Sequence, residues 1–248
     1  MRRYPSPYAS SFSFGPGPIS TALKALIAAN VAMFFITGFS RSLVPMLGLV
    51  PTLVIHGWVW QVATYMFLHG GLLHILFNML ALWMFGTELE RMWGTRYFLK
   101  YYFVTGIGAG VLTVLFSLLP FAFAESLQRS VVIGASGAVY ALLLAYALYF
   151  PDRPIYMYFL FPIPARIFVM IMGVIAFYSS LSESGGGVAN ATHLGGLVVG
   201  YLYLKGGRTN LLGELKYRYL RWKINRVRKK FDVYSGGRTD DHWDRRVH

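Results

Sequence analysis

The stretch "VVIGASGAVYALLLAYAL" (Val131–Leu148) is apolar enough to sit in lipid, yet a Gly-Ala-Ser-Gly run, Gly134 to Gly137, stands at its entrance. Two questions follow: in what solvent this segment lives, and why a hydroxyl is set between two helix-weakening glycines. Composition answers the first. Over 248 residues, 56% are hydrophobic and 13% charged, and the mean hydropathy is +0.49. That is too apolar for an ordinary soluble domain and reads as a polytopic membrane protein.

A hydrocarbon core about 30 Å thick asks for roughly 20 apolar residues per helix. Working outward from the quoted segment, six stretches meet this, at about 20–38, 69–88, 97–119, 132–150, 164–181 and 187–204. They predict an all-α fold, a bundle of six transmembrane helices. The long segment from Gly38 to Leu68, with Pro45, Pro51, Trp58 and Trp60 and few charges, is expected to form a first external loop lying in the membrane interface. Three regions follow: an amino-terminal arm (1–19), the six-helix membrane domain (20–205) and a basic juxtamembrane tail (206–248). The Pro/Gly/Ser-rich arm lacks the pattern of a cleaved signal peptide.

Arg2, Arg3, Lys24, Arg91, Arg96, Lys100, Arg153, Arg166 and the whole tail fall on the side of the termini, against only Arg41 and Arg129 on the other. The positive-inside rule then makes both termini cytoplasmic, and the absence of a targeting presequence points to a bacterial cytoplasmic (inner) membrane. The net charge of +13 is mainly a topology signal. In the tail, "LLGELKYRYLRWKINRVRKKF" (Leu211–Phe231) interleaves basic and apolar residues at near-helical spacing. It is expected to lie on anionic lipid headgroups; no nucleic-acid partner is expected for a tail tethered at a membrane. The chain has no cysteine, so disulfides and thiolate chemistry do not arise.

Polar groups inside lipid are costly, so those within the spans are candidates for function. The carboxylates lie at span ends, in loops or beyond, which removes diaspartyl proteolysis and proton-coupled transport, and no His-Glu-x-x-His motif is present. What the spans do hold is His69, His74 and Asn78 in the second, Ser136 in the fourth and His193 in the sixth. Singly, each has a bland reading: small-residue helix packing around Ser136, a satisfied structural histidine at 193, a helix-linking hydrogen bond from His74 and Asn78. Jointly they point elsewhere. Three spans that begin on the same side carry His74, Asn78, Ser136 and His193 four to nine residues inside, a common depth of about 6 to 14 Å at 1.5 Å per residue. Gly134 and Gly137, with Gly195 and Gly196, would let the fourth and sixth spans approach at backbone distance. His193 would then come within a general base's reach of Ser136. His69 and His74, five apart, are expected on different helix faces, so no metal site and no cofactor are expected.

The residues now carry a resemblance. "WQVATYMFLHGGLLHILFNMLALW" (Trp60–Trp83), "ELERMWGTRYFLKYY" (Glu88–Tyr102), "GASGAVYAL" (Gly134–Leu142) and "HLGGLVVG" (His193–Gly200) resemble, in order, the motifs of rhomboid intramembrane serine proteases. The resemblance implies Ser136 as nucleophile, His193 as base, and His74 with Asn78 as oxyanion donors. It implies supporting roles for His69 and for Tyr140, an aromatic packed on the catalytic imidazole, and it implies transmembrane protein substrates. It also implies that the first external loop and the fifth-span region flank substrate entry. Two features depart from some members: Ala189 and Thr192 stand where those have Gly and Ala before the sixth-span histidine, and Trp60-Gln61 replaces Trp-Arg. With no buried carboxylate to orient the base, the chemistry is expected to run as a Ser-His dyad. The alternative is a catalytically idle rhomboid-like scaffold, and against it stand both Ser136 and His193.

Overall fold

The computed structural model describes residues 17–120, 122–157, 161–180, 187–208 and Lys223. The expected arm, up to residue 16, and the tail helix, apart from Lys223, lie outside the described residues. Helix α1 (Thr21–Phe39) opens on Ser20, whose side chain accepts from the Leu23 N–H at 3.0 Å as an N-cap. Three short helices follow, α2 (Leu43–Leu47), α3 (Pro51–Ile55) and α4 (Gln61–Thr64), then a 3₁₀ turn at Tyr65–Phe67. The long helices α5 (Leu72–Trp93) and α6 (Thr95–Ser117) are joined by Gly94 alone. Its φ of +79° is a conformation that glycine adopts without strain.

After α7 (Ala122–Arg129) come α8 (Ser136–Tyr149), strands β1 (Pro154–Met157) and β2 (Phe161–Pro164), α9 (Ala165–Ser180) and α10 (Gly187–Arg208). The fold is mostly helical, and α1, α5 and α6 are each long and apolar enough to cross a membrane. Helices α8 and α9 are apolar but shorter. The surface is that of a protein in lipid: Leu72, Leu73, Leu76 and Phe77 on α5, and Met170, Val174, Phe177 and Tyr178 on α9, are all exposed. Scattered exposed apolar groups are normal, but continuous apolar faces on long helices need an apolar solvent.

Three expectations need correction. The chain is not wholly helical, because β1 and β2 pair antiparallel with Ile155 opposite Ile163. Pro154, Pro162 and Pro164 in this segment have no N–H for a helix and hold φ near −65°. The fourth helix starts at Ser136 rather than four residues earlier, because Gly134 has φ +125° and Val132 is pinned in extended form by exchanging backbone hydrogen bonds with Leu49 at 2.8 and 2.9 Å. His69 precedes α5 instead of lying in it, so a helical-face argument does not apply to it.

The segment between α1 and α5 is held by side chains that answer its backbone. Gln61, fully buried, accepts from the Val50 N–H and donates to the carbonyls of Pro45 and Met46. Trp60 Nε1 donates to Met46 O and the Thr64 hydroxyl to Leu47 O. One glutamine thus bridges three backbone groups, which an apolar setting would otherwise leave unpaired at a cost.

Candidate active site

The extended run before α8 delivers Ser136 as the first residue of that helix. The first N–H groups of a helix have no intrahelical acceptor, and they carry the positive end of the helix dipole. Ser136 Oγ lies 2.7 Å from His193 Nε2, which α10 supplies. The other ring nitrogen, Nδ1, is 3.3 Å from Asn190 Oδ1, one turn earlier on α10. An amide oxygen only accepts, so Nδ1 carries the proton and Nε2 is left to receive the serine's. Tyr140, one turn after Ser136, stacks on the imidazole with ring centres 4.2 Å apart and planes within 5°, which fixes the ring's orientation.

The approach of α8 and α10 depends on glycine. A Cβ on Gly196 would fall 2.0 Å from Gly137 O, so bare backbone meets bare backbone. Gly195 does not share this contact; it packs on the backbone of Ala109 in α6. Thr192 fits because its hydroxyl lies 2.8 Å from that of Thr113 on α6, while its methyl would stand 3.4 Å from a Cβ placed on Gly137.

His74 approaches from α5. Its Nδ1 accepts from the Gly70 N–H at 3.4 Å, leaving the proton on Nε2. That atom would be 2.8 Å from a Cβ on Gly134, and Ser136 Oγ would be 3.5 Å from the same point. The space Gly134 leaves therefore lies between an imidazole donor and the serine hydroxyl. Asn78 is buried, its amide donating to His74 O at 2.8 Å and its Oδ1 without a partner. His69 is buried, neither ring nitrogen makes a well-formed hydrogen bond, and its ring lies 5.0 Å from that of His74. The expected separation of these two histidines is thus corrected: the turn before α5 brings them together. Among the described residues no group of three or more His, Asp or Glu could hold a metal ion.

Ser136, His193 and Tyr140 are in direct contact, His74 faces Ser136 across the space beside Gly134 and Gly137 lies where α8 meets α10, while His69 and Asn78 are linked to this group through His74. Comparison with known proteins gives the family. The family model described as Rhomboid domain matches residues 56–208, more than half of the chain and every residue of the site. The chain belongs to the rhomboid family. It is 34% identical over 183 residues to the rhomboid protease GluP of Bacillus subtilis, covering 71% of this chain and 32% of that protein. It is 34% identical over 138 residues to the mitochondrial Rhomboid protein 1 of Saccharomyces cerevisiae, 55% of this chain and 38% of that one. With the rhomboid protease GlpG of Yersinia pestis it shares 28% over 186 residues, 75% of this chain and 61% of that one. The chain thus spans less than two thirds of the length of these curated relatives. As a rhomboid with apolar helices of spanning length, it is an integral membrane protein.

Sequence reasoning missed Asn190 and Thr113 in this rhomboid. The i, i+3 spacing of Asn190 and His193 on one helix face was the available signal. Thr113 gave none, since its partner Thr192 is 79 residues away.

Proposed function

We propose that this rhomboid is an intramembrane serine endopeptidase that cleaves transmembrane segments of membrane proteins through a Ser136–His193 dyad. The observation that carries the reading is the 2.7 Å contact between Ser136 Oγ and His193 Nε2, the distance at which a neutral imidazole takes a hydroxyl proton. Ser136 Oγ attacks the scissile carbonyl while its proton passes to Nε2. The oxyanion forms at the start of α8, where the Ser136 N–H, the helix dipole and His74 Nε2–H converge. Asn78 joins as a donor when its amide turns from His74 O. The imidazolium, stacked on Tyr140 and held through Nδ1–H by the Asn190 oxygen, then protonates the leaving amine. Water hydrolyses the acyl-enzyme by the reverse proton path.

The wider setting is part of the proposal: six spans with both termini cytoplasmic, a bacterial inner membrane, an interfacial first loop, and a basic tail, 206–248, on anionic headgroups. The experiment is cleavage of a model transmembrane substrate by purified wild type and Ser136→Ala protein in detergent. Cleavage by wild type alone supports the protease reading. A folded wild type that cleaves nothing in a panel of such substrates favours the idle scaffold.

A further inference from the structure

Three contacts that carry no chemistry converge on one residue of α6. A Cβ on Gly137, the neighbour of Ser136, would lie 3.0 Å from the Cβ of Ala109. One on Gly195, two residues after His193, would lie 3.2 Å from both the Cα and the carbonyl oxygen of Ala109. The third contact is polar. Thr192 Oγ1 is 2.8 Å from Thr113 Oγ1, and the Thr113 hydroxyl donates to Ala109 O at 2.9 Å. A hydroxyl has one proton. That of Thr113 is committed to Ala109, so Thr192 is the donor to Thr113. The result is a directed chain from Thr192 through Thr113 to Ala109 O, among side chains that are all fully or almost fully buried.

The glycine contacts set how close α10 comes, but a face without side chains does not set how the helix is turned. The angle matters. An imidazole nitrogen about 6 Å from the helix axis moves about 2 Å for a 20° rotation, enough to break the 2.7 Å contact with Ser136. We infer that the Thr192–Thr113 hydrogen bond is the positioning device that fixes the rotation of α10 on α6 and thereby aims His193 at Ser136. The inference rests on the dyad reading above. Neither threonine touches the reacting atoms; both act through His193.

Valine keeps the branched shape of threonine and removes the hydroxyl, so Thr192→Val, Thr113→Val and the double variant form the test, with melting temperature, kcat and KM measured on each. Thr192→Val strands no donor, because Thr113 still bonds to Ala109 O. Thr113→Val leaves the Thr192 proton without an acceptor and should melt earlier, and the double variant should recover, since removing both partners of a buried bond is close to neutral. Positioning predicts that kcat falls about 10-fold in Thr192→Val and stays down in the double variant, a modest misplacement of a base, with KM within about twofold and Thr192→Ser restoring kcat. A merely structural bond predicts that activity follows melting temperature. A double variant that recovers both melting temperature and wild-type kcat overturns the inference, as does a Thr192→Val protein with unchanged kcat. Ser136→Ala run alongside separates the two readings: an inactive Ser136→Ala with a fully active Thr192→Val leaves the dyad standing and removes the positioning role, whereas an active Ser136→Ala removes both.

Discussion

Two buried polar clusters of nearly equal exposure, one at the end of α5 and one at the start of α8, are built on opposite plans. Glu90 is 6% exposed, and each of its oxygens is answered: Ser20 Oγ donates to Oε2 at 2.6 Å and Thr95 Oγ1 to Oε1 at 2.7 Å. Because Ser20 also caps α1, one carboxylate stitches α1, α5 and α6 together, and the ion pair of Arg153 with Glu88 fastens the segment after α8 to the same end of α5. At the other cluster His69 and Asn78, 5% and 6% exposed, leave both imidazole nitrogens and an amide oxygen without a well-formed hydrogen bond. Full satisfaction is what a structural polar group needs; leftover capacity in a buried site is what chemistry needs. An orphan atom alone is not the mark, since Trp83 Nε1 and Trp93 Nε1 are also unpaired. The mark is that His69 packs against His74, whose Nε2 faces the space beside a hydroxyl already bonded to an imidazole.

The contrast is tested first where the effect is largest. Ser136→Ala and His193→Ala should each lower turnover by about 10⁴-fold or more, because members of a cooperative dyad fail together, while the melting temperature stays near that of wild type. Next comes the contact that makes the dyad possible. Gly196→Ala drives a Cβ into Gly137 O, so α10 must shift; the expected result is about a 10²-fold loss of kcat with about 1–3 kcal/mol of destabilisation, read by cleavage and thermal melting together.

Asn78→Ala should lower kcat by about 10²-fold or less and leave KM almost unchanged, since the donated bond matters in the transition state and His74 with the Ser136 N–H remains. If the amide serves only its bond to His74 O, within its own helix, the cost to stability is small and turnover below the melting point is normal. The smallest effect on activity belongs to the satisfied cluster. Glu90→Gln should remove about 1.5–3 kcal/mol of stability by weakening hydrogen bonds to a charged group, with kcat of the folded protein unchanged. A Glu90 variant that melts normally but turns over slowly would erase the distinction between the clusters.

Much of this was legible in the sequence, for physical reasons that also explain the gaps. Ser136, His193, His74 and Asn78 stood out because hydroxyl, imidazole and amide groups in apolar helices demand an explanation, and glycines beside two of them signalled close approach. Helix starts were less legible. One residue, Gly134 in a positive-φ conformation, holds α8 back to Ser136, turning an expected mid-helix serine into a helix-terminal one with the dipole behind it. His69 escaped a face argument because it precedes its helix. The β1–β2 pair was masked by apolar residues that could as well have been read as the end of a span, although its prolines forbade helix. Thr192 was visible only as a departure, because its partner Thr113 is fixed by tertiary packing, and Gly195 and Gly196 were read as one contact where the fold sends them to different helices. Gln61 likewise looked like a loss until its three backbone partners were in place.

The central claim is that His193 activates Ser136 and no other residue. Reaction with a fluorophosphonate probe, followed by peptide mapping, tests it most directly, because labelling requires an activated hydroxyl and reports where it is. The account predicts that wild type is labelled at Ser136 alone, that His193→Ala labels far more slowly, and that Ser136→Ala is not labelled. A label carried by another side chain, or equal labelling with and without His193, would contradict it.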